Sequence, residues 1–188
     1  NDLLEYATGV DVRQRGEMGV QTDVSVRGGT FDQITILLNG VNISSPHTGH
    51  LSADFPVSVD QIERIEVIEG PAARVFGTSA FTGAINIITK NEKDSGVSAH
   101  VYGGSYGLVG GNAGVGLSKG KVRQTVSGSF GRADGDQPNS DFNQTKFFYQ
   151  GEYSSETFDL DWQTGMSRQE YGANTFYSAA YPNQWEQT

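Results

Sequence analysis

Residues Gln61–Lys90 read QIERIEVIEGPAARVFGTSAFTGAINIITK. Ile62, Ile65, Val67 and Ile68 mark one strand, and Ala84, Ile85, Ile87 and Ile88 mark a second. Short β-branched runs bounded by glycine and charge are the pattern of strands. Between them Gly70 frees a tight corner, and Pro71 suits the first position of a helical turn. Gly77, Thr78 and Ser79 then break the chain before the second strand, which ends on Lys90.

Upstream, Asp2–Ala7 predicts a short helix ending at Gly9, with Leu3 and Leu4 buried. Val10–Arg13 predicts a strand, and the alternation of TDVSVR predicts another over Thr22–Arg27. Ile34–Leu38 is a continuous apolar run, as in a buried strand, and Asn39-Gly40 is a turn dipeptide. Asn42–Phe55, NISSPHTGHLSADF, is polar and too long for a tight turn, which makes it a candidate functional loop.

Downstream of Lys90 the pattern changes. Val97, Ala99 and Val101 alternate with Ser98, His100 and Tyr102, and Ala113, Val115 and Leu117 with Asn112, Gly114 and Gly116. Val122, Val126 and Phe130 alternate with Arg123, Thr125, Ser127 and Ser129. Phe147, Tyr149 and Tyr153 alternate with Lys146, Gln150 and Glu152; Phe158, Leu160, Trp162 and Met166 alternate with Asp159, Asp161, Gln163 and Ser167. Apart from the brief Ser105–Gly107, short breaks (Lys119–Lys121, Ser154–Thr157) take turns with long ones (Ala133–Thr145, Gln169–Thr188). Segments of about ten alternating residues joined this way suit a membrane barrel, with short turns on the periplasmic side and long loops outside. Taken alone, the alternation favours a soluble sandwich, with one face a core and the other solvated, because soluble antiparallel sheets are common.

Composition narrows the classes. The chain has 188 residues and a net charge of −9, which argues against a nucleic-acid partner. With no cysteine there is no disulfide framework and no thiolate nucleophile. No run approaches the ~18 apolar residues of a membrane helix. A mean hydropathy of −0.43 does not exclude a barrel, in which only alternate residues face lipid. No GxSxG, HExxH or Walker loop is present, so an enzyme finds no support. GGSYGLVGG lies between alternating strands rather than before a helix, so it reads as a hairpin and not a phosphate loop.

The order and spacing of Gln61–Lys90 resemble the end of the plug domain of TonB-dependent outer-membrane receptors, approximately IERIEVxxGPxxxxYGxxAxxGxINIITK, with Phe76 where Tyr is usual. VRGGTFDQITILLNGV resembles the same family's central plug motif, with Asn39 where Asp is common. The resemblance implies an α+β plug over residues 1–92, truncated at its N-terminus, followed over 93–188 by the first five antiparallel strands of a transmembrane β-barrel of about 22 strands. It also implies a signal peptide and TonB box upstream, an outer-membrane location in a Gram-negative bacterium, and TonB with its inner-membrane motor as partner. No cofactor is implied. The motifs look closest to the cobalamin-receptor branch, and Glu69-Gly70-Pro71 stands where sugar importers usually carry KDA.

Candidate ligand-binding residues are Asn42, Ser44, Ser45, His47, Thr48, His50 and Ser52, which suit a polar ligand held by neutral hydrogen bonds. Gly28–Gln33 is a second candidate plug loop. His47 and His50 lack an evident third metal ligand, and their plain reading is exposed loop imidazoles. Tyr177, Tyr181 and Trp185 lie in an aromatic-rich last segment, as stacking groups, self-packing groups or part of an interfacial girdle. Asp134, Asp136 and Asp141 in ADGDQPNSDFN offer the oxygen chemistry of a Ca²⁺ site; the plain alternative is a solvated acidic turn. Arg27, Glu63, Arg64, Glu66, Glu69 and Arg74 are either ion-pairing groups of the plug or solvated surface. Arg132 is the one cation near the acidic loop, whereas anionic siderophores call for clustered Arg and Lys. A neutral corrinoid therefore fits the loops best. The alternatives are a ferric-siderophore or haem receptor and, from another class, a soluble β-rich binding module or adhesin.

Overall fold

The computed structural model describes residues 10–15, 20–26, 28, 33–43, 55–70, 75, 82–91 and 95–188. The chain divides into two compact units, Asn1–Ala53 with Ile62–Thr89, and Asp54–Gln61 with Lys90–Thr188. The expected plug over residues 1–92 thus takes in the first unit together with 54–61 and 90–92 of the second.

In the first unit, β1 (Val10–Arg15) and β2 (Gln21–Val26) form an antiparallel ribbon. A four-stranded sheet has the order β4-β3-β6-β5, where β3 is Ile34–Leu38, β4 Val41–Asn42, β5 Ile62–Glu69 and β6 Gly83–Thr89. β3 and β6 run parallel in the centre, and all five residues of β3 are buried. This explains the unbroken apolar run of β3: a central parallel strand has no solvated face. β5 is an edge strand paired antiparallel to β6, and Ile62, Ile65, Val67 and Ile68 are accordingly only half-buried. Val24, Val26, Ile36, Leu37, Leu38, Ile85 and Ile87 form the core. Each fully buried aliphatic side chain contributes about 1.5–3 kcal/mol. The expected helices over Asp2–Ala7 and after Pro71 lie outside the described residues; those described include the 3-10 turn Val59–Gln61.

The second unit is a six-stranded antiparallel meander, ordered β12-β11-β10-β9-β8-β7. Its strands are β7 (Gly96–Gly103), β8 (Val109–Lys119), β9 (Val122–Ala133), β10 (Phe142–Ser154), β11 (Asp159–Gly172) and β12 (Trp185–Gln187). The five expected strands are all present, and β12 adds a short sixth inside the segment read as loop. Register places the two side-chain classes on opposite faces. Val97, Val115, Val126, Tyr149 and Thr164 form one cross-strand row, and Val101, Gly111, Phe130, Thr145 and Arg168 another on the same face. Ser98, Gly114, Ser127, Phe148 and Gly165 form a row on the other face, as do His100, Asn112, Ser129, Lys146 and Ser167.

The first face is apolar yet exposed: Val97, Val101, Val115, Leu117, Val126, Phe130, Phe147, Leu160 and Met166 all stand open. In water this would be an aggregation surface. At ~3.3 Å per residue, a strand tilted by ~40° as in a barrel would carry this face about 20 Å across a bilayer between Val122 and Phe130. Near the short turns this face carries aromatic groups. Trp162 Nε1 donates to Tyr149 Oη (3.0 Å), Tyr149 Oη donates to Gln124 Oε1 (3.1 Å), and Tyr153 packs on Phe158 at 5.5 Å.

The polar face holds residues 55–61 and Lys90–Asn91. Lys90 N donates to Gln61 O (2.8 Å) and Gln150 Nε2 to Lys90 O (2.7 Å); Asn112 Nδ2 donates to Asp60. Asn91 and Arg123 both donate to Glu152. Two wall glycines make room for this strap. A Cβ on Gly165 would stand 2.7 Å from Pro56, and one on Gly114 would stand 3.0 Å from Gln61 Nε2.

Candidate ligand-binding site

The long connections of the second unit fall at one end of its sheet: 104–108, 134–141 and 173–184. The loop expected over Ala133–Thr145 shortens because β9 runs to Ala133 and β10 begins at Phe142. The loop expected over Gln169–Thr188 shortens to 173–184 because β11 continues to Gly172.

Asn139 organises this end. It sits at φ 58°, a left-handed conformation that asparagine tolerates better than most residues. Its Nδ2 donates to Pro182 O (2.9 Å) and Gln184 O (2.6 Å), and its backbone oxygen accepts from Asn174 N (3.2 Å). Asn174 Nδ2 in turn donates to Pro138 O (2.8 Å). Gly172 N donates to Asp141 O (2.9 Å), and Asp134 N donates to Tyr106 O (2.8 Å). The three connections are thus joined by hydrogen bonds between their tips. Neither Asn139 nor Asn174 was singled out in the sequence. The available signal was an Asn after Pro138 in a turn-rich segment.

The aromatic segment divides. Tyr171 is buried, packs on Phe176 at 6.0 Å and donates to Glu186 Oε2 (2.5 Å), so these two rings are self-packing. Tyr177, Tyr181 and Trp185 are 46%, 63% and 52% exposed. Trp185 stands on β12, opposite Gly172.

Asp134, Asp136 and Asp141 are all exposed, and Asp134 lies over Gly107. Among the described residues no group of three His, Cys, Asp or Glu side chains could hold a metal ion. Arg132, expected beside the loop, is in a row with Val109 and Asn143 on the apolar face of the sheet.

In the first unit, Asn42 is exposed on β4. Ser44, Ser45, His47, Thr48, His50 and Ser52 lie outside the described residues, as do most of Gly28–Gln33 and the side chains of Arg27, Glu69 and Arg74. Glu63, Arg64 and Glu66 pair with one another: Arg64 Nε reaches Glu66 Oε1 and Arg64 Nη1 reaches Glu63 Oε1, both at 2.9 Å. The Arg64 hydrogen bond, followed by one from Asn86 Nδ2 (3.0 Å), holds the Glu66 carboxyl below its usual range. Asn86 Oδ1 accepts from Gly40 N (2.9 Å), and Asn39 Oδ1 accepts from Thr89 N (2.9 Å). The two sequence motifs are therefore joined by a polar chain crossing β3, β6 and β5.

Comparison with known proteins places this architecture. Residues 1–84 match the family model of the TonB-dependent Receptor Plug Domain. The Vitamin B12 transporter BtuB of Vibrio vulnificus (strain CMCP6) is 37% identical over 94 residues, 50% of this chain; the chain spans 15% of that relative's length. The Copper transporter OprC superposes with a TM-score of 0.74 at 20% identity, over 93% of this chain and 29% of that one. The pyoverdine outer membrane receptor FpvA from Pseudomonas aeruginosa PAO1 superposes with a TM-score of 0.65 at 15% identity, over 90% of this chain and 24% of that one. Plug match, sheet topology and superposition agree: residues 1–84 carry a TonB-dependent receptor plug domain, and the chain has the fold of such a plug followed by antiparallel strands of a barrel.

Proposed function

We propose that the chain is the plug and first wall strands of a Gram-negative outer-membrane receptor that imports a scarce nutrient, coupled through TonB to the inner-membrane motor. The observation carrying this reading is the plug match running, in one chain, into a sheet with one exposed apolar face and one polar face. Such a sheet suits a wall between lipid and a hydrated lumen. The proposed cargo is a corrinoid. It is supported by the relative named as a vitamin B12 transporter. It is also supported by loops 134–141 and 173–184, which hold no Lys or Arg and so offer nothing to an anionic siderophore.

The candidate cargo-binding groups are Tyr177, Tyr181 and Trp185 in the second unit and, taken separately, Asn42, Ser44, Ser45, His47, Thr48, His50 and Ser52 in the first. Aromatic rings and neutral hydrogen-bonding groups recognise a large uncharged ligand. Calcium at Asp134, Asp136 and Asp141 would require this loop to rearrange until the three carboxylates share an ion. The test is titration of the full-length receptor in detergent with cyanocobalamin and with a ferric siderophore, with and without Ca²⁺. Tight cobalamin binding supports the cargo, and weakening on chelation supports the ion. Siderophore binding alone leaves a receptor but removes the corrinoid, and binding unchanged by chelator removes calcium.

A further inference from the structure

The apolar face of the wall ends, toward the long loops, in a polar margin. Val101, Phe130, Thr145 and Arg168 share its last apolar row, and Val109, Arg132, Asn143 and Glu170 share the row beyond. Arg132 and Arg168 both stand exposed on this face. They are two strands and two residues apart, about 12 Å between Cα atoms at ~4.8 Å per strand and ~3.3 Å per residue. Arg168 Nε binds Glu170 Oε1 (3.0 Å), but its side chain remains 67% exposed. The Arg132 side chain meets no carboxylate among the described residues. Asn143 and Thr145, exposed between them on β10, add an amide and a hydroxyl.

We infer that this margin is a binding site for the phosphorylated headgroup of an outer-leaflet glycolipid, whose acyl chains lie on the apolar rows below. The inference rests on the outer-membrane reading proposed above. An unpaired guanidinium costs little in bulk water, but here it stands just beyond exposed Phe130, Phe147 and Met166. At that depth it needs an anion that also belongs to the membrane. Guanidinium groups bind phosphate through paired N–H donors, and two spaced groups suit a headgroup with two phosphates. Charge complementarity favours a lipid over a protein partner, because the same surface continues into apolar side chains. Glu170 opposes the site by occupying part of Arg168.

The test uses the full-length receptor in phosphatidylcholine nanodiscs carrying a small fraction of diphosphorylated, acylated glucosamine disaccharide. Native mass spectrometry counts the glycolipid retained. Flotation with the outer-membrane fraction is measured first; a receptor absent from that fraction would overturn both the location and this site. Given flotation, Arg132→Gln and Arg168→Gln should each lower retention about five-fold, and the double variant about twenty-fold. Glu170→Gln should raise it, and a dephosphorylated glycolipid should be lost as from the double variant. Lys119→Gln with Lys121→Gln, at the short-turn end, should change nothing. Retention by the double variant equal to wild type, or insensitivity to removal of the phosphates, would overturn the site while leaving the receptor intact.

Discussion

Replacing Asn39 by alanine should loosen the seam that joins the two plug motifs. Asn39 occupies φ 50° at the end of β3. Its Oδ1 accepts from Thr89 N (2.9 Å) and Thr89 Oγ1 (3.1 Å), and its Nδ2 also reaches Thr89 Oγ1. Thr89 is buried, so its orphaned N–H costs about 1–3 kcal/mol. Alanine in the left-handed region adds about 1 kcal/mol. A total near 3 kcal/mol corresponds to about a hundredfold faster opening. Hydrogen exchange on peptides covering Gly83–Lys90 in the full-length receptor reads it directly. Asn39→Gly relieves the backbone but not the hydrogen bonds, and should accelerate exchange about tenfold. Asn39→Asp keeps both acceptor roles and should stay within about threefold of wild type. Asn39→Ala exchanging like wild type, or Asn39→Asp as fast as Asn39→Ala, would refute the seam.

Glu66, with its carboxyl held down by Arg64 and then Asn86, stabilises the folded plug above about pH 4.5, and that contribution fades as pH falls through its lowered pKa. Wild type should therefore lose stability relative to Glu66→Gln below about pH 4, and parallel acid-unfolding curves would contradict the pairing. Thr35 Oγ1 is buried without a hydrogen-bond partner among the described residues, so Thr35→Val should stabilise by about 1 kcal/mol in denaturant titration. Asn139→Ala removes both side-chain bonds to 182–184 and should make 134–141 and 173–184 cut faster by protease, while strands β9–β11 stay protected. Val126→Arg on the apolar face should cost about 2–4 kcal/mol of membrane stability, whereas Ser127→Gln on the polar face should cost far less.

Much of the fold was legible because strand periodicity is a local property. The apolar run of β3 and the alternation of β8–β11 follow directly from which faces are buried, and their spans emerge within a few residues. What was not legible depends on contacts distant in sequence. The strap 55–61 lies within the expected plug by position, yet it packs on the six-stranded sheet, where Gly114 and Gly165 leave space for it. Strand β12 is three residues long and exists through pairing with Glu170–Gly172. At the loop end, composition revealed exposed aromatics and acids. It did not reveal that Tyr171 turns inward or that Asn139 ties one loop to the next. Arg132 was read by its neighbours in sequence, and strand register puts it instead on the apolar face.

The central claim is that this sheet is a wall between lipid and a polar lumen. It is tested by placing single cysteines along residues 122–132, in a chain that has none of its own. Spin labels on the full-length receptor in outer membranes then report exposure to an apolar and to an aqueous relaxant. The account predicts a two-residue period, with 122, 124, 126, 128 and 130 open to the apolar reagent and the intervening positions shielded from it. Equal aqueous exposure of both sets, or no period at all, would contradict it.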